Sequence, residues 1–251
     1  MNLFPPPKKR LGQHFLHDEG VPAKIADAVR PRDGETLLEI GPGRGALTRH
    51  LVKKAVSLVA VETDAELIPV LTQAFPGVRV VHADFLKTTV DAEYWCGNLP
   101  YNLSSPIFFK MLDERSTVRE AVFMVQKEVA RRIASPPGNK EYGVLSVLLG
   151  RYYGVEYLFT VKPGAFVPPP KVDSAVVRLT RNAVSRDGYE TLKTVVKAAF
   201  NQRRKTLFNA MKPAGLSELV PEEWRGLRAE NLSADDFARI ASLKCETDNR
   251  R

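Results

Sequence analysis

The first half of the chain alternates short apolar runs with amphipathic helical patterns, and this alternation constrains the fold more than any other feature. Such alternation is typical of β-α-β units built around a mostly parallel sheet. The apolar runs are nearly continuous, which favours strands buried on both faces of the sheet. Five strands are predicted here: Glu35–Ile40, Ser57–Glu62, Val78–Asp84, Trp95–Leu99 and Glu120–Gln126. Helices are predicted over Asp18–Arg30, Ala46–Lys54, Asp64–Phe75 (with Asp64 as its cap) and Ser104–Leu112.

The pattern changes in the second half. After a helix over Gly143–Tyr153, two strands, Val155–Val161 and Ser174–Leu179, flank the proline-rich stretch Phe166–Lys171, and their simplest arrangement is antiparallel. Beyond Thr180 only helices are predicted, over Tyr189–Phe200, Thr206–Met211, Pro221–Arg228 and Ala234–Leu243. We therefore expect an α/β domain over residues 1–181 and a small all-helical domain over residues 182–251.

Composition narrows the class of protein. The 251 residues are 44% hydrophobic, enough for a sizeable core, but no run approaches the ~18 apolar residues of a membrane helix. The first residues carry no apolar signal segment, and Cys96 and Cys245 match no metal or disulfide spacing. We expect a monomeric protein of the cytoplasm, with neither a membrane span nor a metal.

The charge balance points to an anionic partner. Lys and Arg total 37 against 29 acidic residues, a net charge of +8, and a basic balance of this kind favours nucleic-acid binding. The cations cluster in two acid-free segments, residues 1–10 and 191–217, although a solvated face is an alternative for both. The candidate nucleic-acid contacts are Lys8, Lys9, Arg10, Arg203, Arg204 and Lys205.

A glycine loop follows the first predicted strand of the sheet and opens a helix. Gly41, Gly43 and Gly45 allow a tight turn and a close approach of backbone to ligand. A nicotinamide enzyme would use G-x-G-x-x-G to seat a pyrophosphate, whereas the third glycine here comes one residue early. An ordinary strand-to-helix turn is the other alternative.

Three successive predicted strands carry carboxylates at or near their ends: Glu39, Glu62 and Asp84. Glu62 can accept hydrogen bonds from both hydroxyls of a ribose. Asp84 can accept one from an adenine amine. A ligand with two hydroxyls, an adenine and a positive centre suits this set, and S-adenosylmethionine is such a ligand.

The fourth strand ends in the turn Asn98-Leu99-Pro100-Tyr101. Pro100 fixes the turn. The Asn98 side-chain oxygen and the Leu99 carbonyl can then point at one amino group, and Tyr101 offers a flat face for a base. A structural proline turn with a core tyrosine is the alternative.

These residues, taken together, resemble the KsgA family of rRNA adenine N6,N6-dimethyltransferases. The resemblance runs from about Lys9 to Leu179, with a weaker echo in Arg203–Asn209. It rests on Gly12–Leu16 (GQHFL), Glu39–Gly43, Glu62, Asp84, Gly97–Asn102, Gln126–Val129 and Phe166–Val176 (FVPPPKVDSAV). Erm-type enzymes, which methylate large-subunit rRNA, are the relatives to exclude, and the FVPPPKVDSAV stretch is more similar to the KsgA branch.

The resemblance implies a class I S-adenosylmethionine-dependent methyltransferase: a Rossmann-like, seven-stranded sheet with one antiparallel strand. It implies cofactor contacts at Gln13, His14, Leu16, Gly41, Glu62, Asp84 and Asn98. The family usually has Asn at the position of His14, which leaves a side-chain contact there in question. The implied substrate is a pair of adjacent adenines in the hairpin near the 3′ end of small-subunit rRNA. Because an isolated RNA hairpin lacks a ribosomal surface, we expect the substrate to be an assembling subunit.

For the reaction, we expect the target adenine to leave its stack. Tyr101 is the candidate for one face of the flipped base and Phe166 for the other. No strong base or metal is expected, because positioning is the main task. A non-catalytic ribosome-assembly or transcription factor on the same fold and a nicotinamide oxidoreductase remain as alternative functions.

Overall fold

The computed structural model describes residues 5–8, 11–54, 57–184 and 188–248. Contacts divide the chain into one unit of Met1–Ala130 with Glu156–Arg181 and a second of Arg131–Val155 with Asn182–Arg251. The border after Arg181 coincides with the predicted domain limit. The predicted domains and the observed units differ over residues 131–155, which belong to the second unit. An apolar helical pattern does not show which of two cores the helix will join.

A seven-stranded sheet dominates the fold, in the order β4-β3-β2-β5-β6-β9-β7. Strands β2 to β6 pair in parallel, and β9 runs antiparallel to β6. The strands are β1 (Phe15–Leu16), β2 (Thr36–Ile40), β3 (Ser57–Glu62), β4 (Arg79–His82), β5 (Tyr94–Asn98), β6 (Glu120–Gln126), β7 (Tyr153–Val161), β8 (Phe166–Val167) and β9 (Ser174–Arg181). The predicted seven-stranded α/β sheet is confirmed.

The strand register brings the predicted site residues to one edge. Glu39 pairs with Ala60, and Glu62 pairs with His82 on the next strand. Asn98 ends β5 beside β6. Because the carboxyl ends of parallel strands meet at the same edge of a sheet, Glu39, Glu62 and Asn98 lie on one side of the molecule, with Asp84 just beyond β4.

Helices accompany the strands along the first part of the chain: α1 (Gly20–Ala28), α2 (Thr48–Leu51), α3 (Ile68–Ala74), α4 (Ser104–Asp113) and α5 (Lys127–Ile133). The central strands are fully buried, with Leu37, Leu38 and Val122 among the residues that expose no surface. The predicted cap of α3 is wrong. Leu67 holds the cap position, because a turn separates Asp64 from the helix. The Asp64 carboxylate accepts from Lys8, from Gln13 and from the N–H of Glu66 in that turn.

A second sheet consists only of β1 and β8, paired antiparallel with Phe15 opposite Val167 and Leu16 opposite Phe166. The sequence did not predict this pair. Two residues are too few to show a strand period, and the partners are far apart along the chain.

The second unit is mainly helical in the part of it that the structure describes. Its helices are α6 (Val144–Tyr152), α7 (Tyr189–Phe200), α8 (Leu207–Met211) and α9 (Ala234–Asp248). The rings of Phe200 and Phe237 pack at a centroid distance of 5.9 Å between α7 and α9. The predicted helix over Pro221–Arg228 is wrong, since only one 3₁₀ turn, Glu222–Trp224, forms there. Across the described residues, no helix is both long and apolar enough to cross a membrane.

Candidate active site

A cavity of about 310 Å³ lies at the carboxyl ends of the strands, within the size range of small-ligand sites. It is bounded by the glycine loop, the ends of β2, β3 and β5, and the segment before β1. The predicted site residues that line it are Gln13, His14, Leu16, Glu39, Gly41, Gly43, Glu62, Asp84, Asn98, Leu99, Pro100 and Tyr101. The cofactor and base residues expected from the sequence therefore share one space.

The glycine loop needs glycine for two reasons. Gly41 and Gly43 have φ angles of +68° and +57°, in the left-handed region that other residues rarely adopt. A Cβ atom on Gly43 would also lie 3.0 Å from the ring of Phe15. The bare loop thus lets β1 pack closely against it.

Glu62 ends β3 and holds the glycine loop. Its two carboxylate oxygens accept hydrogen bonds from the backbone N–H groups of Gly43 (3.0 Å) and Asp64 (2.8 Å). Burial raises the pKa of Glu62, and the backbone donors oppose that rise. Each carboxylate oxygen has more than one lone pair, so Glu62 can still accept the hydroxyls of a ribose.

Glu39 differs from Glu62 in its electrostatic state. It is 1% exposed, and the Thr48 hydroxyl donates to its Oε2 at 2.7 Å. Burial raises the pKa of Glu39 to about 8. Glu39 therefore holds a proton at neutral pH and contributes a neutral polar group, rather than a negative charge, to the site.

Asp84 is the most accessible of the three acids. Its carboxylate accepts the N–H of Leu86 at 3.0 Å and caps the short 3₁₀ turn Phe85–Lys87. The side chain is 45% exposed, and Lys87 Nζ lies 3.8 Å away. It can accept an amine donor, in competition with water.

The Asn98–Tyr101 turn presents two acceptors. Asn98 Nδ2 donates to the carbonyl of His14 at 3.0 Å, which leaves Oδ1 at the opposite end of the amide. The Leu99 N–H donates to Met124 O, and the Pro100 carbonyl accepts from Leu103 N–H. Within the described residues, no hydrogen bond reaches Asn98 Oδ1 or the Leu99 carbonyl, so both are available to an amino group.

Tyr101 is tethered at its hydroxyl, which lies 2.7 Å from the Oγ of the fully buried Ser174. One face of its ring stacks on the imidazole of His14. Sequence reasoning missed the tether, although Ser174 stands inside the FVPPPKVDSAV motif.

Phe166 requires a correction. It is 2% exposed, packs in the hydrophobic core and lies outside the cavity lining. Pairing of β8 with β1 turns its ring inward, so in this structure it cannot offer a stacking face to a base.

Lys8 also departs from its predicted role. Its ammonium pairs with Asp64, which is 3% exposed, and with Glu66 at 2.9 Å. Gln13 Nε2 donates to Asp64 at 3.0 Å, and Gln13 Oε1 accepts from Lys8 N–H. Lys8 thus fastens the segment before β1 to the site instead of projecting toward a phosphate. Lys9 and Arg10 lie outside the described residues.

In the second unit, Arg203, Arg204 and Lys205 occupy the turn between α7 and α8, not a helix. Arg203 donates to the carbonyls of Lys140 (2.8 Å) and Tyr142 (2.9 Å), so its guanidinium serves the fold. Arg204 and Lys205 are exposed, and their side chains have no polar partner among the described residues.

The cavity suits the cofactor expected from the sequence. Glu62 retains acceptor capacity for hydroxyls, Asp84 can accept an amine, and the glycine loop brings backbone close to the ligand space. The cavity therefore matches S-adenosylmethionine in the hydrogen-bond donors and acceptors that it offers.

Comparisons with known proteins agree with this geometry. A family model described as ribosomal RNA adenine dimethylase matches residues 6–244. The chain is 45% identical to a Porphyromonas gingivalis protein named ribosomal RNA small subunit methyltransferase A, over 94% of this chain and 96% of the relative.

Two solved structures resemble the fold at 27% sequence identity. A dimethyladenosine transferase from Plasmodium falciparum gives a TM-score of 0.82, covering 90% of this chain and 96% of that one. The 23S rRNA methyltransferase ErmE gives 0.72, covering 91% and 98%. The fold is that of a class I S-adenosylmethionine-dependent methyltransferase, and the chain belongs to the ribosomal RNA adenine dimethylase family.

Proposed function

We propose that this protein dimethylates the N6 amines of two adjacent adenosines in the 3′-terminal hairpin of small-subunit rRNA, with S-adenosylmethionine as methyl donor. The observation that carries the proposal is the meeting, in one cavity, of the acid-lined ligand end with Asn98 Oδ1, the Leu99 carbonyl and Tyr101. The name of the P. gingivalis relative supports the small subunit as substrate.

The chain's own groups prepare the amine. An exocyclic adenine amine is a poor nucleophile, because its lone pair is delocalised into the ring. Asn98 Oδ1 and the Leu99 carbonyl accept its two N–H groups and favour a pyramidal nitrogen whose lone pair is directed at the donor. Bound S-adenosylmethionine supplies an electrophilic methyl group, so positioning supplies most of the remaining catalysis.

No strong general base is required. The amine becomes acidic once it is methylated, and water can take the proton. In the second round only one N–H remains to be held, so the acceptor pair must tolerate a methyl group in place of one donor.

The target base must leave its helical stack to reach these acceptors. Tyr101 offers the stacking surface, and its hydroxyl is held in position by Ser174 Oγ at 2.7 Å. In the second unit, we assign the exposed Arg204 and Lys205 to contacts with rRNA phosphates. We assign the protein to the bacterial cytoplasm and to small-subunit biogenesis, where its substrate would be an assembling subunit.

The test is transfer of labelled methyl groups to purified small and large subunits from cells that lack the protein. Mass spectrometry of the 3′-terminal small-subunit fragment should show two dimethyladenosines with the native protein and far less methylation in the same time with Asn98→Ala. Methylation of the large subunit instead would assign an Erm-type activity. Tight subunit binding without any transfer would favour an assembly factor.

A further inference from the structure

His14 stands where the ligand end of the cavity meets the end that faces the base. Its imidazole stacks on Tyr101 with ring centroids 5.5 Å apart and planes 25° from parallel. Its Nδ1 lies 2.8 Å from the carbonyl of Pro168, and its own carbonyl accepts from Asn98 Nδ2 at 3.0 Å. A single residue thus touches both the amine-holding and the stacking side chains.

The two parts of His14 do different things. The backbone carbonyl orients Asn98, and a residue of any type could provide it. The imidazole is particular to this chain's histidine, and its contacts are with Tyr101 and Pro168, on the side of the target base.

The stack leaves no room for a base between the rings. Non-bonded carbon atoms pack about 3.5–4.0 Å apart, so a third ring would require a separation of about 7–8 Å. The centroid separation of 5.5 Å is shorter than this, so the two rings are in contact. A base can stack on the part of Tyr101 that the imidazole covers only if one ring moves.

His14 is the ring that can move. The Tyr101 hydroxyl is tied to Ser174, which is fully buried in β9. The imidazole of His14 is held at its far side by one hydrogen bond, to the carbonyl of the exposed Pro168. Rotation of the His14 side chain would also leave its backbone bond to Asn98 intact.

We infer that the His14 imidazole occupies the face of Tyr101 that the flipped adenine takes, and that the incoming base displaces it. The inference rests on the proposed adenine methylation. In the free protein, the imidazole of His14 therefore covers the ring of Tyr101. It competes with the adenine for this ring, and the competition weakens binding of the base.

The variant His14→Ala removes the competitor and keeps the backbone carbonyl. The expected result is a roughly 3- to 10-fold lower KM for unmethylated small subunits. The variant His14→Asn, which also lacks a ring, should give the same shift and repeats the test if His14→Ala folds poorly.

His17→Ala is the matched control. His17 makes the same kind of bond, from its ring Nε2 to the carbonyl of Gly164 at 2.8 Å, but it lies outside the cavity lining. Its loss should leave KM unchanged.

A higher KM or a lower kcat in both ring-free His14 variants would overturn the inference, because the ring would then be a permanent wall of the base site. An unchanged KM would overturn it too, since nothing would have competed. Failure of the proposed function is distinct, because the native protein would then transfer no methyl groups to small subunits.

Discussion

The strand-end cavity and the basic turn at Arg203–Lys205 hold their polar groups in opposite ways. In the cavity, Glu62 and Asn98 are bonded to backbone groups that fix their direction. In the turn, Arg204 and Lys205 project into solvent without a polar partner among the described residues. Fixed acceptors can select one ligand geometry, whereas free cations attract any phosphate chain. Selectivity is therefore expected from the cavity and salt-dependent affinity from the turn.

The largest effect should come from Asn98→Ala, which removes an acceptor from the reacting amine. By analogy with the loss of one positioned hydrogen-bonding group elsewhere, single-turnover methylation should slow by about 100- to 1,000-fold. The dissociation constant for small subunits should change little, because the amide does not contact the RNA backbone. If Asn98→Ala methylated at the normal rate but bound small subunits weakly, Asn98 would serve RNA binding and not the reaction, contrary to the roles given to the cavity and the turn.

Glu62→Ala should weaken S-adenosylmethionine binding by about 1–3 kcal/mol, because a ribose hydroxyl and two backbone N–H groups lose their acceptor. Asp84→Ala should cost less, since that side chain is 45% exposed and water can replace it. Calorimetry checks both values. The Glu62 effect should fade with a deoxyribose analogue of the cofactor, and an equal loss with both ligands would contradict the ribose assignment.

Glu39 should make stability depend on pH. Its pKa is about 8 in the folded protein against an ordinary value of 4.5, so between these values the folded state keeps a proton that the unfolded state has released. Stability from this group is present below pH 4.5 and is lost as the pH rises toward 8, by up to about 1.4 kcal/mol per pH unit.

Urea unfolding at pH 6 and pH 8 tests whether the free energy of unfolding falls as the pH rises. The native protein should lose stability relative to Glu39→Gln as the pH rises, because glutamine keeps the neutral polar group without a titration. Parallel pH profiles for the two proteins would show that Glu39 does not titrate in this range.

The smallest effect should appear in the basic turn. Replacing Arg204 and Lys205 with Gln should lower the salt slope of subunit binding by about 1.8 log units for two duplex contacts. Arg203→Gln is the control. It should reduce stability through its lost bonds to Lys140 and Tyr142 and leave the slope nearly unchanged. An unchanged slope in the double variant would mean that the turn does not touch RNA.

The sequence predicted what depends on local pattern. Alternating apolar runs indicated the sheet, and because parallel strands end at one edge, they also brought Glu39, Glu62 and Asn98 together. The glycine positions of the loop were also predictable, because a turn in the left-handed region of φ strongly favours glycine.

What could not be predicted depends on partners distant in the chain. Neither the tie from Lys8 to Asp64 nor the contact of Arg203 with Tyr142 leaves a local signal. Burial of Phe166 follows from its strand pairing, and an aromatic residue before prolines is equally compatible with a surface or a core. The raised pKa of Glu39 results from its burial, and the periodicity of the sequence does not show how deeply a side chain is buried.

The short β1–β8 pair has a consequence for the order of synthesis. Phe15 and Val167 are 152 positions apart, and His17 N–H adds a bond to the carbonyl of Ala165 at 3.0 Å. A chain emerging from the ribosome therefore exposes its amino-terminal site residues long before their partners exist. The pocket should be completed among the last steps of folding, so a truncated nascent chain would hold the cofactor poorly and could not begin methylating RNA prematurely.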